Sequence, residues 1–224
     1  PSLSNGLNVL LEGTPSSAPY IAMTLGVLKH FGVELVADNS SIKIQPYIEK
    51  TQPKEFVIEP DWSSASYWYS ICALSPGSSI LLQHLSPKSL QGDSVVKDIY
   101  GRLGVSSTFV ENGLLIKNTG KVAETFSWDF SACPDIAQTL CVTAAALKIP
   151  FEISGLGTLR VKETDRLLAL YNELKKLGTE TEITDSTIKS ISFGEPQSHI
   201  SIKTYQDHRM AMSFAPFCLI GELN

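Results

Sequence analysis

The amino-acid sequence predicts an α/β fold made of repeated βαβαββ units of about 73 residues. Three apolar stretches, each long enough for a buried helix, begin 73 residues apart. Three amphipathic stretches alternate with them, and their final glycines are 72 and 74 residues apart. Short β-like runs separate these helices. A period of this length indicates packed α/β units, because solenoid repeats are shorter.

The helices are predicted from their periodicity and their ends. Each apolar helix opens with a polar residue or a proline, which suits a first helical turn. The apolar helices are predicted at Asp61–Leu74, Pro134–Leu147 and Asp207–Ile220. The amphipathic helices are predicted at Tyr20–Gly32, Val95–Gly104 and Leu167–Gly178. Their final glycines suit the residue that ends a helix in a left-handed conformation.

The strands are predicted from short β-branched or aromatic runs bounded by turn residues. Two follow each amphipathic helix: Val33–Val36 and Ile42–Ile44, Ser106–Val110 and Leu114–Ile116, and Glu180–Ile183 and Ile188–Ile191. One precedes each apolar helix: Glu55–Ile58, Glu124–Trp128 and His199–Ile202. One lies between the helices of a unit: Ser79–Leu82 and Phe151–Ile153. Residues 55–122 and 123–193 then form two complete units, and the polar segment Glu49–Lys54 is predicted to be a hinge or linker.

Composition excludes several classes of protein. Of the 224 residues, 43% are hydrophobic and 18% charged, so a substantial core can form. The net charge of −5 argues against non-specific binding to nucleic acids or membrane surfaces. No apolar run reaches the roughly 18 residues that a membrane span needs. The four cysteines have irregular spacing in apolar stretches, so we predict reduced core residues rather than disulfides or a zinc site: Cys72, Cys133, Cys141 and Cys218.

The segment Arg160–Arg166 (RVKETDR) is the clearest candidate site. At the start of a helix, Lys162 and Arg166 would share one face, and Glu163 would neighbour Arg166. Cations near the positive end of a helix dipole can bind phosphate or carboxylate groups, with Glu163 available for proton transfer. The alternative is a solvated first turn with ion pairs inside the helix.

Two further helix starts carry charge. In Tyr205–Arg209 (YQDHR), Asp207 suits the N-cap, and His208 and Arg209 lie in the first turn, where cations oppose the helix dipole. This local cost hints at function, although an exposed cap is the alternative.

The third helix start contains Cys133-Pro134-Asp135, which plain capping also explains. The repeat makes Trp62, Asp135 and His208 equivalent positions, so one helix start could serve different chemistry in each unit. In the loop Gly13–Tyr20, serine hydroxyls could cap a helix or bind an anion. No dinucleotide-binding, Walker, nucleophile-elbow or zincin motif is present in the sequence.

Five motifs together resemble those of the EPSP synthase family, in the same order. They are SAPYI from Ser17, DWSSASY from Asp61, CPDIAQT from Cys133, RVKETDR from Arg160 and YQDHRMAM from Tyr205. The resemblance covers essentially the whole chain. It implies an enolpyruvyl transferase-like inverse α/β barrel truncated at both ends, with residues 1–58 ending a first domain and residues 59–224 forming most of a second. The chain is therefore expected to be part of a longer protein.

The resemblance also implies an activity, namely transfer of the enolpyruvyl group from phosphoenolpyruvate to the 5-hydroxyl of shikimate 3-phosphate in aromatic amino acid biosynthesis. It implies that Asp135 accepts the proton of that hydroxyl and that Glu163 transfers a proton at the methylene carbon. Neither a metal nor an organic cofactor is expected, and the two small molecules are the expected partners, with no nucleic acid and no membrane. The full-length enzyme is expected to be a cytoplasmic monomer.

The family's binding residues carry over position by position. Ser17 and Lys162 match ligands of shikimate 3-phosphate, and Arg166 and Arg209 match cations that hold phosphoenolpyruvate. Two positions match residues that line the cleft: Tyr20 and His208. Many members have Asn two residues before Arg160, and Thr158 puts that contact with shikimate 3-phosphate in doubt.

Alternatives remain. They are the sister enzyme that acts on UDP-N-acetylglucosamine, an RNA-end-processing protein on related units, which the acidic charge disfavours, and a non-catalytic anion-binding fragment. We expect this chain alone to be inactive, since part of the family's clamp is absent from it. We also expect marginal stability or self-association through uncovered surface.

Overall fold

The computed structural model describes residues 3–13, 18–46, 55–197 and 199–220. The predicted linker Glu49–Lys54 lies outside the described residues. Among the described residues, the buried apolar side chains form two separate clusters, a small one within residues 33–44 and a large one within residues 62–217.

The first of these regions, residues 3–46, is a three-stranded antiparallel sheet with one helix. Its elements are β1 (Leu7–Leu10), α1 (Ala18–His30), β2 (Leu35–Ala37) and β3 (Ser41–Ile44). The strand order is β1-β3-β2. Strand β1 was not predicted from the sequence. No residue of α1 is buried, although the helix is apolar along much of its length.

The first complete repeat contains α2 (Trp62–Leu74), β4 (Ser79–Gln83), α3 (Val96–Gly101), β5 (Leu103–Val110) and β6 (Gly113–Val122). A 3-10 turn, Gly92–Val95, leads into α3. The strands form an antiparallel sheet in the order β4-β6-β5. Asp61 caps α2 by accepting a hydrogen bond from the backbone N–H of Ser63.

The second repeat has the same order of elements with one more strand. It contains β7 (Phe126–Asp129), α4 (Ala137–Ala146), β8 (Phe151–Ser154), α5 (Arg166–Lys176), β9 (Thr179–Ile183) and β10 (Ile188–Phe193). Its sheet order is β7-β8-β10-β9, with β7 parallel to β8. The chain then opens a third unit with α6 (His208–Phe214).

The three apolar helices pack against one another at the centre of the large cluster. Helix α4 contacts both α2 and α6, and α2 contacts α6. Buried hydroxyls join them, with hydrogen bonds from Ser66 to Thr139 at 3.4 Å, from Thr143 to Ser70 at 2.8 Å and between Thr139 and Ser213 at 3.0 Å. These partners lie 73 or 74 residues apart, so the repeat read from the sequence is also the packing unit.

Two predicted strands are wrong. Residues 55–58 are not in a sheet, because the carbonyl of Glu55 accepts a hydrogen bond from His30 Nε2 and the ring of Phe56 packs against those of His30 and Phe31. The segment is therefore held by the first region. Residues 199–202 contain only an isolated bridge at Ile200.

Two predicted helices are shorter than expected. The helix predicted at Val95–Gly104 ends at Gly101, and Gly104 lies in β5 with φ +83°. Helix α6 gives way after Phe214 to a 3-10 turn, Ala215–Leu219. Pro216 lies there, and a proline has no backbone N–H to continue the α-helical hydrogen bonds.

The cysteines are free, but not all are core residues. Cys72, Cys133 and Cys141 are buried, as predicted, whereas Cys218 is exposed and that prediction is wrong. In the described ranges, no group of three or more His, Cys, Asp and Glu side chains could hold a metal ion. No helix among these residues is long and apolar enough to cross a membrane.

Candidate functional site

Asp135 is the centre of a charged cluster. It lies in the 3-10 turn Pro134–Ile136 that leads into α4, where a proline suits the first helical position. Its Oδ1 is 3.1 Å from Lys162 Nζ and 3.2 Å from Arg166 Nη1. Its Oδ2 accepts a hydrogen bond from the Tyr20 hydroxyl at 3.2 Å and lies 3.7 Å from Arg209 Nη2. Four side chains distant in sequence therefore meet one carboxylate.

Arg166 is a buried cation with three acidic partners. It is the first residue of α5, and its side chain is 1% exposed. Its Nε donates to Asp207 Oδ2 at 2.7 Å, its Nη2 to Glu163 Oε2 at 2.5 Å and its Nη1 to Asp135. A buried charge is costly unless it is paired and hydrogen-bonded, so these carboxylates permit the burial of Arg166.

The RVKETDR segment is mostly the approach to a helix, not its first turn. Residues 157–161 form a 3-10 turn, and α5 begins only at Arg166, capped by Asp165, which accepts from the N–H of Leu168 at 3.0 Å. The predicted helical face shared by Lys162 and Arg166 is therefore wrong, and both side chains instead converge on Asp135. The alternative of a solvated first turn fails for Arg166, which is buried.

Other members of this segment have different surroundings. Glu163 is half-exposed and pairs with Arg166, as its i, i+3 spacing predicted. Arg160 pairs with Asp165 at 2.9 Å and donates to the carbonyls of Thr184 and Asp185, so it joins the helix start to the β9–β10 turn.

Helix α6 brings its first residues to the same cluster. Asp207 is its N-cap, as predicted, accepting from the N–H of Arg209 at 2.8 Å while it also binds Arg166. Arg209 Nη1 donates to the carbonyl of Asp135 at 3.3 Å. The chain enters the cap through two left-handed residues, Tyr205 and Gln206, with φ of 57° and 56°. Non-glycine residues seldom adopt this conformation, so backbone strain lies next to the site.

One predicted site residue does not join the cluster, and another falls outside the described residues. His208 is exposed, and within the described part of the chain its side chain takes no part in the contacts of Asp135. Ser17 lies outside the described residues. The hydroxyl of Thr158 is buried and has no hydrogen-bond partner among the residues that the structure describes.

Burial and the neighbouring charges decide the protonation of the cluster. Burial raises the pKa of Asp135, but Arg209, Lys162 and Arg166 outweigh it and hold that pKa below its usual value. Burial, followed by the charges of Asp93 and Asp135, raises the pKa of Tyr20 far above its ordinary value. At neutral pH the pair is thus an ionised carboxylate and a neutral phenol that donates to it.

The sequence did not point to two polar neighbours of the cluster. Asp93, 2% exposed, accepts a short hydrogen bond from the Ser63 hydroxyl, and its other oxygen has no partner among the described residues. Burial and, more weakly, the charge of Asp135 raise the pKa of Asp93 despite that hydrogen bond. Gln138 Nε2 donates to the carbonyl of Asp135 at 2.6 Å. The repeat offered one signal, since Asp93 lies 73 residues before Arg166.

The comparisons with known proteins agree on one family. Residues 1–222 match a family model described as EPSP synthase (3-phosphoshikimate 1-carboxyvinyltransferase). A 3-phosphoshikimate 1-carboxyvinyltransferase from Bacteroides fragilis (strain YCH46) is 44% identical over 219 residues, covering 96% of this chain and 53% of the relative. One from Methanospirillum hungatei JF-1 is 34% identical over 228 residues, covering 100% and 52%. The chain spans about half the length of the curated relatives it matches.

Solved structures have the same fold. EPSP synthase from Acinetobacter baumannii matches with a TM-score of 0.68 at 19% identity, over 96% of this chain and 50% of that one. The enolpyruvyl transferase NikO from Streptomyces tendae matches with a TM-score of 0.63 at 14% identity, over 97% and 50%. At such identities the likeness establishes the fold alone, and it confirms the predicted enolpyruvyl transferase-like arrangement.

Proposed function

The chain belongs to the EPSP synthase family, and we propose that its Asp135 site takes part in transferring the enolpyruvyl group of phosphoenolpyruvate to the 5-hydroxyl of shikimate 3-phosphate, with release of phosphate. The observation that carries this proposal is the meeting of Asp135 with Lys162, Arg166 and Arg209. Both substrates are anions, and a cleft with three cations around one carboxylate suits them.

The reaction needs a base, and Asp135 is proposed for this role. It would accept the proton of the 5-hydroxyl while that oxygen attacks C2 of phosphoenolpyruvate. Without substrate, the negative charge of Asp135 is balanced by neighbouring cations. The same cations would bind the phosphate and carboxylate groups of the substrates. As Lys162 and Arg209 turn to those groups, Asp135 loses positive neighbours and its pKa rises. Substrate binding would thereby prepare the base.

The methylene carbon needs a proton, and Glu163 is proposed as its donor. Addition of the proton at C3 and of the hydroxyl oxygen at C2 gives a tetrahedral intermediate. In the second step Glu163 takes a proton back from C3 and the C2–O bond to phosphate breaks, so that a new enol ether remains. Its partner Arg166, anchored by Asp207, would hold Glu163 and the substrate carboxylate in register.

We further propose that residues 1–58 and 59–224 belong to two domains with the site between them. Support comes from the two separate buried clusters and from Tyr20, which reaches Asp135 from the smaller region. Ser17 and His208 are proposed to contact substrate. The chain alone is proposed to be inactive, and a cytoplasmic, monomeric whole enzyme remains a prediction.

The test begins with calorimetric titration of the 224-residue chain with shikimate 3-phosphate, with and without phosphoenolpyruvate. Millimolar binding or none, without turnover, is the expected result for half a site. Micromolar binding with turnover would overturn the proposed inactivity of the chain.

The second part uses the whole enzyme that contains this chain. Asp135→Asn is expected to lower kcat by roughly 10²- to 10⁴-fold, since general-base catalysis contributes about that factor. The matched control, Asp98→Asn, removes an exposed carboxylate of α3 and should leave kcat unchanged. If Asp135→Asn also left kcat unchanged, Asp135 would not be the base.

A further inference from the structure

Gly92 makes a close approach that a side chain at this position would obstruct. It opens the 3-10 turn before α3, and a Cβ placed on it would lie 2.6 Å from Pro19 Cβ, 3.0 Å from Pro19 Cγ and 3.1 Å from the backbone oxygen of Ala132. Carbon atoms in contact lie about 3.5–4.0 Å apart, so even a methyl group would force its neighbours to move. The φ of Gly92 is not left-handed, so the backbone conformation does not call for glycine here. The lack of space for a Cβ does.

The two neighbours of Gly92 lead to the two sides of one hydrogen bond. Pro19 precedes Tyr20 in the first turn of α1, and Ala132 lies three residues before Asp135. The hydroxyl of Tyr20 donates to Asp135 Oδ2 at 3.2 Å. The contact at Gly92 therefore sets how closely the start of α1 approaches the turn that carries Asp135.

The turn around Gly92 is held on both sides by side-chain hydrogen bonds. The side chain of Gln91 accepts from the N–H of Trp62 and donates to the carbonyl of Pro60, both at 2.8 Å. Asp93 binds the hydroxyl of Ser63. These three bonds tie the turn to the start of α2 and to Pro60, which precedes it. In contrast, α1 has no buried residue, so it is the element that a Cβ on Gly92 would displace.

We propose that Gly92 is a positioning residue of the Asp135 site: the absence of a side chain lets Pro19 rest against the turn, and this contact delivers the Tyr20 hydroxyl to Asp135. The hydrogen bond holds Oδ2 of Asp135, while Lys162 pairs with Oδ1, and the two contacts together orient the carboxylate. The consequence for catalysis rests on the function proposed above, whereas the placement of Tyr20 by Gly92 is independent of it.

The first test measures the placement of Tyr20 without any turnover. The 224-residue chain is labelled with 3-fluorotyrosine, and the ¹⁹F resonance of Tyr20 is assigned from Tyr20→Phe. In the unsubstituted chain this resonance should titrate well above the range of free 3-fluorotyrosine, because Tyr20 is partly buried beside two carboxylates. In Gly92→Ala it should titrate closer to that range.

Two further variants separate positioning from misfolding. Gly101→Ala adds a Cβ where nothing lies within 4 Å, so the Tyr20 resonance should not change. Replacing Pro19 by Gly in the Gly92→Ala background removes the two atoms of closest approach, and the resonance should return toward its original titration. If Gly92→Ala titrated like Gly101→Ala, or if the second replacement restored nothing, the proposal would be overturned.

The second test measures activity in the whole enzyme. Gly92→Ala should lower kcat by about 10- to 100-fold with a smaller change in KM, since a hydrogen bond to a charged group is of that strength. Tyr20→Phe should do the same, and combining the two should add little. Additive losses would overturn the proposal. If the Tyr20 resonance responds as expected but the unsubstituted enzyme transfers no enolpyruvyl group, the positioning stands and the proposed function fails.

Discussion

The two complete repeats carry buried charges of opposite sign at the same position. Asp93 lies in the 3-10 turn that opens the second helical segment of the first repeat, and Arg166, 73 residues later, begins that of the second. Arg166 is surrounded by three carboxylates. Asp93 accepts one hydrogen bond from Ser63 and, among the described residues, has no partner for its other oxygen. The second repeat has thus compensated its buried charge, and the first has not.

The starts of the apolar helices differ in the same way. Trp62 and Asp135 are equivalent in the repeat, yet Trp62 is 1% exposed and fills the core, whereas Asp135 gathers cations. His208, the third equivalent, is exposed. The repeat therefore determines the position of a residue at the helix start, and its surroundings differ from one repeat to the next. The residue type and its long-range neighbours then determine whether the position supports packing or chemistry.

The largest expected effect tests the compensated charge. Arg166→Met removes the cation and leaves Asp207, whose side chain is fully buried, without its cationic partner. Loss of one member of a buried pair costs about 3–5 kcal/mol. The free energy of unfolding, measured in urea at pH 7, should therefore decrease by that amount. The control is Arg102→Met, which removes an exposed arginine of the first repeat. This arginine lies over the ring of Trp128, and its loss should cost less than about 1 kcal/mol. Equal losses would mean that the cluster does not depend on its central cation.

A smaller effect is expected where the repeats share a hydrogen bond. The hydroxyl of Thr143 lies within hydrogen-bond distance of three groups: the hydroxyl of Ser70, its equivalent in the first repeat, the carbonyl of Thr139 and the buried hydroxyl of Tyr100. Thr143→Val leaves two hydroxyls without this partner and should cost about 2 kcal/mol. Ser70→Ala leaves Thr143 its other partners and should cost about 1 kcal/mol. The same urea titration compares them, and the reverse order would contradict the observed network.

The smallest expected effect is a gain, from the uncompensated charge. Burial raises the pKa of Asp93 above its unfolded value. The contribution of Asp93 to the free energy of unfolding is therefore fully present below the unfolded pKa of about 3.9, where the carboxyl is protonated. It is lost as the pH rises through the pKa of the folded state. Asp93→Asn removes that loss, so the variant should be more stable than the original protein by about 1 kcal/mol at pH 7.

The pH dependence distinguishes this explanation from a packing effect. The gain from Asp93→Asn should vanish near pH 4, where the carboxyl of the original protein is protonated in the native state. Asp98→Asn, at an exposed position in the same repeat, should change stability little at either pH. A gain of equal size at both values of pH would show that ionisation of Asp93 is not the cause.

Much of the architecture could be read from the sequence because it is local. The helix starts at Asp61, Pro134 and Asp207 are chemical signals within one turn, and the structure confirms each. The strands predicted at residues 55–58 and 199–202 failed for a non-local reason. A strand needs a partner in a sheet, and the backbone of Glu55 is instead bound by His30.

The site shows the same division. The chemistry-bearing residues Asp135, Lys162 and Arg166 were recognisable from their motifs, but the geometry assumed for two of them was wrong, since α5 begins only at Arg166. Asp93 and Gly92 gave no local signal, because an acidic residue next to a glycine is typical of any turn. Their importance depends on Ser63, Pro19 and Ala132, which approach them only in the folded chain.

The sequence by itself determined the repeat, the starts and ends of most helices and the charged groups available for chemistry, because periodicity, capping and composition act over a few residues. Only the tertiary structure decided that one carboxylate meets Tyr20, Lys162, Arg166 and Arg209 across separations of up to 115 residues. It also decided which buried charge is compensated. These contacts arise from the packing of whole helices, and no short stretch of sequence records which neighbours that packing brings together.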